Sequence, residues 1–259
     1  MRKKIFLSFI FLCLASFLLA ETASGNVTDQ AQLSADVMLF HTETGNFSAS
    51  GNVVMNTEGL TARAPRGSGN VQNRDVHFFD GIEVEGDWRG DWLDISAETL
   101  SLFFAQTPTY IAEGAVNGVL GRIYMDVDKF YMKGDDFAAL NVRRLEDREM
   151  QITLRADRVD GAIEGGSLSN FIARGRVWLD GQPGAGGGGA VEIRGDRAVY
   201  SVERGSVVVS GNVTAVQQGR VLTAGSIVYF PDSNRIDAYG DSEDSRVRIT
   251  IDIPQETQE

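Results

Sequence analysis

Two short sequence phrases alternate along this chain, and their fixed order constrains the fold more than any other feature. The first phrase is Leu or Ile, any residue and then Ala, often followed by an acid, as in Leu33–Asp36. The second phrase alternates a large apolar residue, Ala or Val, Gly, and Val or Trp, as in Phe47–Val53. Seven such pairs follow one another, with the Ala position of the first phrase at Ala35, Ala62, Ala97, Met125, Ala156, Gly195 and Ala224. This order predicts seven copies of one supersecondary unit, each stacked on its neighbours.

Both phrases alternate apolar and polar residues with a period of two, which is the period of a β-strand. The central Gly of the second phrase predicts a bend or bulge within that strand. Turn signals such as Thr44–Asn46 and Pro231–Asn234 separate the strands, and no stretch keeps a helical period over three turns. The chain is therefore predicted to be all-β, a stack of antiparallel hairpins with an apolar interior and about 14–16 strands. Residues 135–148 lie in the least regular region and are the one candidate for a short helix.

The apolar positions of the second phrase are predicted to form the inner face, at two levels. The first level comprises Phe47, Ile82, Tyr110, Phe171, Val207 and Ile236, and the second comprises Ala49, Val84, Ala112, Ala173, Val209 and Ala238. After the central Gly, the inner set continues with Val53, Trp88, Val116, Val177 and Val213. The alternate positions are charged, as at Asp36, Glu83 and Arg174, so the other face is predicted to be wet. The small residues of the second level leave two interpretations open: room for a groove, or closely packed walls.

The first twenty residues have the pattern of a secretory signal peptide. Arg2, Lys3 and Lys4 precede an apolar run of sixteen residues, 5–20, whereas a membrane-spanning helix needs about 20. We therefore predict a signal peptide at 1–20, with an uncleaved anchor as the alternative, then a repeat domain at 21–253 and a polar tail at 254–259. Removing 1–20 leaves 21 Lys and Arg against 36 Asp and Glu, a net charge of −15.

Composition and motifs argue against several other functions. With a net charge of −12, the chain lacks the basic surface that nucleic acids require. Its one cysteine, Cys13, excludes an intrachain disulfide and a cysteine-based zinc site. His41 and His77 are 36 residues apart, outside any metal-spaced cluster, and are expected on exposed strand positions. There is no G-x-S-x-G nucleophile motif. We therefore expect no enzymatic activity, no metal and no cofactor, and we expect the three Trp residues in the core.

The repeat resembles the LptA/OstA-like family. The resemblance covers about residues 27–253 and is most typical in Val207–Val213, Gly219–Ala224 and Ile236–Gly240. It implies an open, twisted β-jellyroll located in the periplasm of a Gram-negative bacterium. It also implies a lipopolysaccharide-binding bridge protein, which carries lipopolysaccharide from the inner to the outer membrane for outer-membrane assembly. The acyl chains of lipid A would then run through an apolar groove lined by the inner set named above.

The same resemblance implies protein partners at both ends. Copies would join head to tail through edge strands, predicted at residues 27–40 and 247–253. The chain would also join an inner-membrane export complex to an outer-membrane translocon. Four arginines are candidates for phosphate contacts at the mouth of the groove: Arg63, Arg66, Arg143 and Arg144.

Two alternatives remain from the sequence. The first is an inner-membrane-anchored periplasmic partner of the same export system, which would share this fold. The second, from another class, is a β-solenoid surface adhesin or polysaccharide-processing enzyme. The second fits less well because solenoid rungs need a more constant period and a recurring acidic cluster.

Overall fold

The computed structural model describes residues 31–57, 59–182, 189–240 and 246–251. The predicted signal peptide with Cys13, the glycine-rich residues 184–188 and the polar tail at 254–259 lie outside the described residues. The same holds for the outer parts of the two predicted edge segments, 27–30 and 252–253.

The described residues form eighteen β-strands and two short 3-10 turns, so the all-β prediction is confirmed. The strands are β1 (Gln32–Ser34), β2 (Val37–His41), β3 (Asn46–Asn56), β4 (Leu60–Asn70), β5 (Asp75–Phe79), β6 (Ile82–Trp88), β7 (Asp91–Ala97), β8 (Thr99–Phe103), β9 (Thr109–Leu120), β10 (Ile123–Lys133), β11 (Asp136–Asp147), β12 (Ile152–Glu164), β13 (Ser167–Gly181), β14 (Val191–Ser201), β15 (Ser206–Gln217), β16 (Arg220–Phe230), β17 (Arg235–Tyr239) and β18 (Arg248–Ile251). The 3-10 turns are Val202–Arg204 and Pro231–Ser233. The predicted helix at 135–148 is wrong, because β11 occupies this region.

The strands make one large antiparallel sheet that is folded into two facing walls. Each long strand runs through both walls and bends between them, whereas the short strands belong to one wall only. Wall A contains 37–41, 46–50, 66–70, 75–79, 99–103, 109–113, 129–133, 136–140, 158–164, 167–174, 197–201, 206–210, 226–230 and 235–239. Wall B contains 32–34, 53–56, 60–64, 82–88, 91–97, 116–120, 123–127, 142–147, 152–156, 177–181, 191–195, 213–217, 220–224 and 248–251.

Strand register in wall A matches most of the predicted inner levels. Cross-strand partners form one continuous row: Phe47, Gly69, Val76, Leu102, Tyr110, Met132, Phe137, Gly161, Phe171, Tyr200, Val207, Tyr229 and Ile236. A parallel row contains Ala49, Gly67, Phe78, Leu100, Ala112, Phe130, Ala139, Val159, Ala173, Ala198, Val209, Ile227 and Ala238. The predicted levels are therefore real rows of the sheet, with one exception.

The exception is the second unit, where Ile82 and Val84 lie in wall B instead. Val84 pairs with Ala62 and Ile95 rather than with the second-level row. The strand is interrupted at Asp80 and Gly81, both of which have positive φ. As a result, β5 belongs to wall A and β6 belongs to wall B. The spacing carried a sign of this break, because 24 residues separate Ala62 from Gly86, against 16 to 19 in the other units.

We name the bend between the walls the corner; it consists of a β-bulge at the central glycines Gly51, Gly114, Gly175 and Gly211. Each of these glycines and the residue after it have positive φ, for example 80° at Gly211 and 49° at Asn212. The strand register shifts at the same place, as expected for a bulge that bends the strand. A Cβ atom at Gly211 would lie 2.6 Å from the Asp196 carboxylate, so a larger residue would displace this acid.

In four of the seven units, the acid of the first phrase packs on the central glycine of the second phrase. Asp36, Glu98, Asp157 and Asp196 lie in this position against Gly51, Gly114, Gly175 and Gly211. The Asn212 side chain donates a hydrogen bond to Asp196 over 3.0 Å, and Asn52 donates one to Asp36 over 2.9 Å. In the degenerate fourth unit, the acid that receives the equivalent bond, from Asn141, is Asp128 rather than Asp126. This contact explains why the two phrases recur together.

The opposite long side of the sandwich is closed by contacts between turns, and we name it the seam. The Arg122 amide donates to the Gly166 carbonyl over 3.0 Å, joining a turn of wall B to a turn of wall A. Arg89 and Asp135 form an ion pair of 2.5 Å across the same side. Further along, the Asn234 side chain donates to the Gly189 carbonyl over 3.0 Å. The two walls are therefore joined by continuous backbone at the corner and by polar contacts at the seam.

Candidate functional site

The interior between the walls is the candidate site, and the predicted lining residues lie in it. Twelve of the seventeen are buried: Phe47, Ala49, Val53, Ile82, Ala112, Val116, Phe171, Ala173, Val177, Val207, Val209 and Val213. The other five are half-buried and pack against the same core: Val84, Trp88, Tyr110, Ile236 and Ala238. All seventeen therefore belong to one apolar interior, although the predicted levels put Ile82 and Val84 in the wrong wall.

The walls pack closely against each other in the middle of this interior. Trp88 of wall B contacts Tyr110 of wall A, with ring centroids 4.7 Å apart at an angle of 65°. Gly181 of wall B lies against the Tyr229 hydroxyl of wall A, and a Cβ atom there would overlap this oxygen. Burial raises the pKa of Tyr229 above its ordinary value, and the charge of Asp180 adds to this effect. At Gly181 the absence of a side chain therefore lets the two walls pack closely.

The interior is more open at the two ends of the stack. At the first end, Met38 and Phe40 of β2 are 40% and 50% exposed although they pair with Ala49 and Phe47 of the inner rows. At the other end, Ile249 of β18 is 65% exposed. Among the described residues, β1 and β2 pair only with β3, and β17 and β18 pair only with β16. Both ends therefore keep sheet edges whose backbone groups have no partner strand within the described chain.

The four arginines proposed for phosphate contacts lie on outer faces and already have carboxylate partners. Arg63 pairs with Glu85 at 2.5 Å, and Arg66 pairs with Asp80. Arg144 pairs with Glu146, and Arg143 with both Asp126 and Asp128. Because each of these positive charges is paired with a carboxylate of the same chain, the four arginines do not form one basic surface at the opening of the groove.

The histidines and tryptophans differ in part from the sequence expectation. His41 is exposed, whereas His77 is half-buried, and its Nδ1 lies 2.8 Å from the Ser101 hydroxyl. Trp92 is 59% exposed on the outer face of wall B, and Trp178 is half-buried on the same face, so the expected core position is wrong for both residues. Within the described residues, no group of three His, Cys, Asp or Glu side chains is arranged to hold a metal ion.

Sequence reasoning missed the buried anchor of the seam, Asp147. Its side chain is fully buried and accepts hydrogen bonds from the amides of Glu149, at 2.9 Å, and Met150, at 3.1 Å. Its other oxygen accepts from the Leu168 amide at 3.1 Å, in wall A. An aspartate followed by a turn was the one signal in the sequence, since such side chains often bind the amides that follow. No comparable sequence signal indicated that the Leu168 amide would be its partner across the seam.

Comparison with known proteins gives a limited result. No protein-family profile matches this chain, and no curated protein matches it. Among solved structures, the chain is similar to LptH from Pseudomonas aeruginosa, described as the LptA-homologous periplasmic component of a lipopolysaccharide transport device. The two chains are 11% identical over 86% of this chain and 96% of that one, with a TM-score of 0.24. An overlap this low carries no argument about function.

Among the residues that the structure describes, no helix is long and apolar enough to cross a bilayer.

Proposed function

We propose that this protein is a periplasmic lipopolysaccharide-binding bridge protein that carries lipopolysaccharide from the inner to the outer membrane. The observation that carries the proposal is the pair of apolar inner rows, which run in register from β2 to β17 and end at unpaired sheet edges. The resemblance of the repeat to the LptA/OstA-like family supports it. In this role, β1 and β2 at one end and β17 and β18 at the other would join further copies, the inner-membrane export complex and the outer-membrane translocon.

Acyl-chain burial would supply most of the binding energy. Lipopolysaccharide is polyanionic, and the chain without residues 1–20 has a net charge of −15. Burial of an acyl chain is worth about 0.8 kcal/mol for each CH₂ group, so a few chains outweigh moderate surface repulsion.

Because the middle of the interior is packed, acyl chains enter only if the walls separate. The corner is continuous backbone, and separating the walls there would break strand pairing. The seam is held by contacts between turns, of which the Arg89–Asp135 pair is exposed and worth at most about 1 kcal/mol. The opening in this proposal therefore lies at the seam.

A disulfide across the seam tests this function and its route together. The Cγ atom of Asp91 lies 2.7 Å from the Cβ position of Gly166, so Asp91→Cys with Gly166→Cys places the two sulfurs within bonding reach. The only native cysteine is Cys13, so the pair has a clean background. We expect the reduced variant to bind fluorescent lipopolysaccharide and the oxidised variant to lose at least tenfold in affinity.

A cross-strand disulfide within one wall is the matched control. Thr214 and Thr223 are direct partners on the outer face of wall B, far from the seam contacts. Oxidising Thr214→Cys with Thr223→Cys should leave lipopolysaccharide binding unchanged. Equal binding by the oxidised and reduced seam variants would exclude entry at the seam, and absence of binding by the native protein would exclude the function. Recovery of the native protein only in inner membranes would favour the anchored partner.

A further inference from the structure

The outer face of wall A carries an apolar stripe where a wet sheet face should be polar. From β9 to β16 one cross-strand row on this face contains Ile111, Tyr131, Ala138, Asp160, Ile172, Val199, Val208 and Val228, and it continues with Ser101 on β8 and Asp237 on β17. The eight residues from β9 to β16 are half-buried, and only Asp160 among them is charged. In wall B one outer row over the same strands contains Asn117, Asp126, Arg144, Arg155, Trp178, Arg194, Thr214 and Thr223. That row is polar, as is usual for the wet face of an antiparallel sheet, and the stripe of wall A departs from this pattern.

The stripe dips into a hollow between β10 and β13, which we name the outer hollow. Its volume is about 570 Å³, which lies in the range of small-molecule sites. Its lining combines the apolar Tyr131, Ala138, Leu140 and Ile172 with the charged Lys129, Asp136, Arg158 and Asp160, and it also includes Phe137 and Gly161 of the inner row.

A row of cations borders the stripe on its corner side. Lys129, Arg158, Arg174 and Arg197 occupy this row on β10, β12, β13 and β14. Lys129 pairs with Glu113 at 2.5 Å, and Arg158 and Arg174 both pair with Asp160, at 2.5 and 2.8 Å. These two carboxylates leave an excess of two positive charges along the row, within a chain whose net charge is −12. A third carboxylate, Asp136, lines the hollow on the seam side, where its cross-strand partner is Lys133. Arg197 forms no ion pair with any described residue.

We propose that the outer hollow and its stripe bind one anionic amphiphile, with the apolar chain across the strands and the anionic group on Arg174 and Arg197. Neighbouring strands are about 4.8 Å apart, so the stripe from Tyr131 to Val228 is roughly 29 Å long and accommodates a fatty chain. The excess of cations favours an anionic head group, and the concave floor favours a single molecule over a flat bilayer surface. This site opens on the outer face of wall A, although Phe137 and Gly161 of the inner row also line the hollow, and it does not depend on the proposed function.

Binding of dodecyl phosphate below its micelle concentration, followed by calorimetry, tests the proposal. We expect Arg197→Glu to weaken binding at least tenfold through loss of the anionic contact, and Ile172→Gln to weaken it at least fivefold through loss of the apolar floor. Arg194→Glu is the matched control, since Arg194 lies on the same strand but in wall B on the other outer face, and it should change the affinity less than twofold. Circular dichroism and thermal unfolding of each variant confirm that it is folded.

Further measurements distinguish the outer hollow from the interior and from a membrane-binding face. The oxidised Asp91→Cys, Gly166→Cys variant should bind dodecyl phosphate as well as the native protein does, because the outer hollow does not need the seam to open. Equal losses in Arg197→Glu and Arg194→Glu, or no loss in Ile172→Gln, would overturn the proposal. So would equal affinity for dodecyl maltoside, which has no charge, or for inorganic phosphate, which has no chain. Binding to anionic phosphatidylglycerol vesicles without binding to the single amphiphile would overturn it too and assign the face to a membrane surface.

Discussion

The corner and the seam both hold wall A to wall B, but different interactions act at the two sides. At the corner every long strand continues from one wall into the other, and a glycine with an acid packed on it sets the bend at Gly51, Gly114, Gly175 and Gly211. At the seam separate turns meet through hydrogen bonds and an ion pair. The corner therefore behaves as a hinge, whereas the seam can open without breaking a strand ladder.

The seam is itself uneven along its length. In the middle, the buried Asp147 carboxylate accepts hydrogen bonds from backbone amides of both walls. At the preceding turn of wall A the seam contact is the exposed Arg89–Asp135 pair, whereas the Asn234–Gly189 contact further along is partly buried. This difference predicts that the seam opens first at the Arg89–Asp135 contact, which leads to four tests that are ordered by the expected effect.

The largest effect is expected from Asp147→Ala at the middle of the seam. This change leaves three amides without their acceptor, and a buried donor without a partner costs about 1–3 kcal/mol. Some of these amides will find water, so we expect a loss of about 3 kcal/mol in the free energy of unfolding in urea. Asp147→Asn, which keeps one acceptor oxygen, should lose less. A loss below about 1 kcal/mol would show that Asp147 does not anchor the seam.

The next effect is expected at the corner, from Gly114→Ala. Gly114 has a φ of 79°, and a Cβ atom there would lie 2.6 Å from the Cβ of Glu98. The left-handed backbone costs about 1–2 kcal/mol for a residue with a side chain, and the overlap adds to this, so we expect a total of about 2–3 kcal/mol.

Gly205→Ala is the control for the corner. Gly205 also has positive φ, 56°, but a Cβ atom there would meet nothing within 4 Å. Its loss should be about 1 kcal/mol, from backbone conformation alone. Equal losses at Gly114 and Gly205 in urea unfolding would mean that the packed acid does not set the corner.

The third test uses pH and acts on the outer carboxylates at and near the corner. Hydrogen bonds from Arg143 and then Asn141 lower the pKa of Asp128 below its ordinary 3.8, and Arg66 and Arg158 lower the pKa of Asp80 and Asp160. A carboxylate whose folded pKa is lowered adds stability above its unfolded pKa, and this stability is lost as pH falls through the folded pKa. The free energy of unfolding should therefore decrease as the pH is lowered below 3.8, and Asp128→Asn should make this decrease less steep. An unchanged slope in that variant would contradict the role of Asp128.

Sequence reasoning identified the inner rows because their period of two is visible within each phrase, as from Phe47 to Ala49. It failed where the period changes phase. In β11 the buried residues Phe137 and Ala139 are followed by Val142 and Leu145. The bulge at Asn141 inserts one residue, a second register shift lies between Val142 and Leu145, and two such breaks in alternation resemble the spacing of a short helix. The break between β5 and β6 was hidden in the same way.

The seam could not have been predicted from the sequence. Its contacts join turns that are distant in the chain, as between Arg122 and Gly166, and no local pattern specifies which turns meet. The packing of the interior was also left open, because repeated Ala and Gly permit either a groove or close walls. The Gly181–Tyr229 contact, which decides this locally, depends on the position of one wall relative to the other.

The smallest effect on stability is expected from Arg89→Ala at the exposed contact of the seam. The Arg89–Asp135 pair is exposed, so its loss should lower the free energy of unfolding by at most about 1 kcal/mol. The matched control is Arg63→Ala, whose pair with Glu85 has the same 2.5 Å distance and similar exposure but lies within wall B. Both variants should be nearly as stable as the native protein.

The two variants should differ in local opening, which hydrogen exchange measures. If the seam opens first at this exposed contact, Arg89→Ala should speed exchange at the turns around Gly90 and Gly134, and Arg63→Ala should not. Exchange near the Leu168 amide should stay slow in both, because Asp147 still holds it. Faster exchange at Leu168 than at these two turns would reverse the order of opening, and the buried anchor would then be the weakest part of the seam.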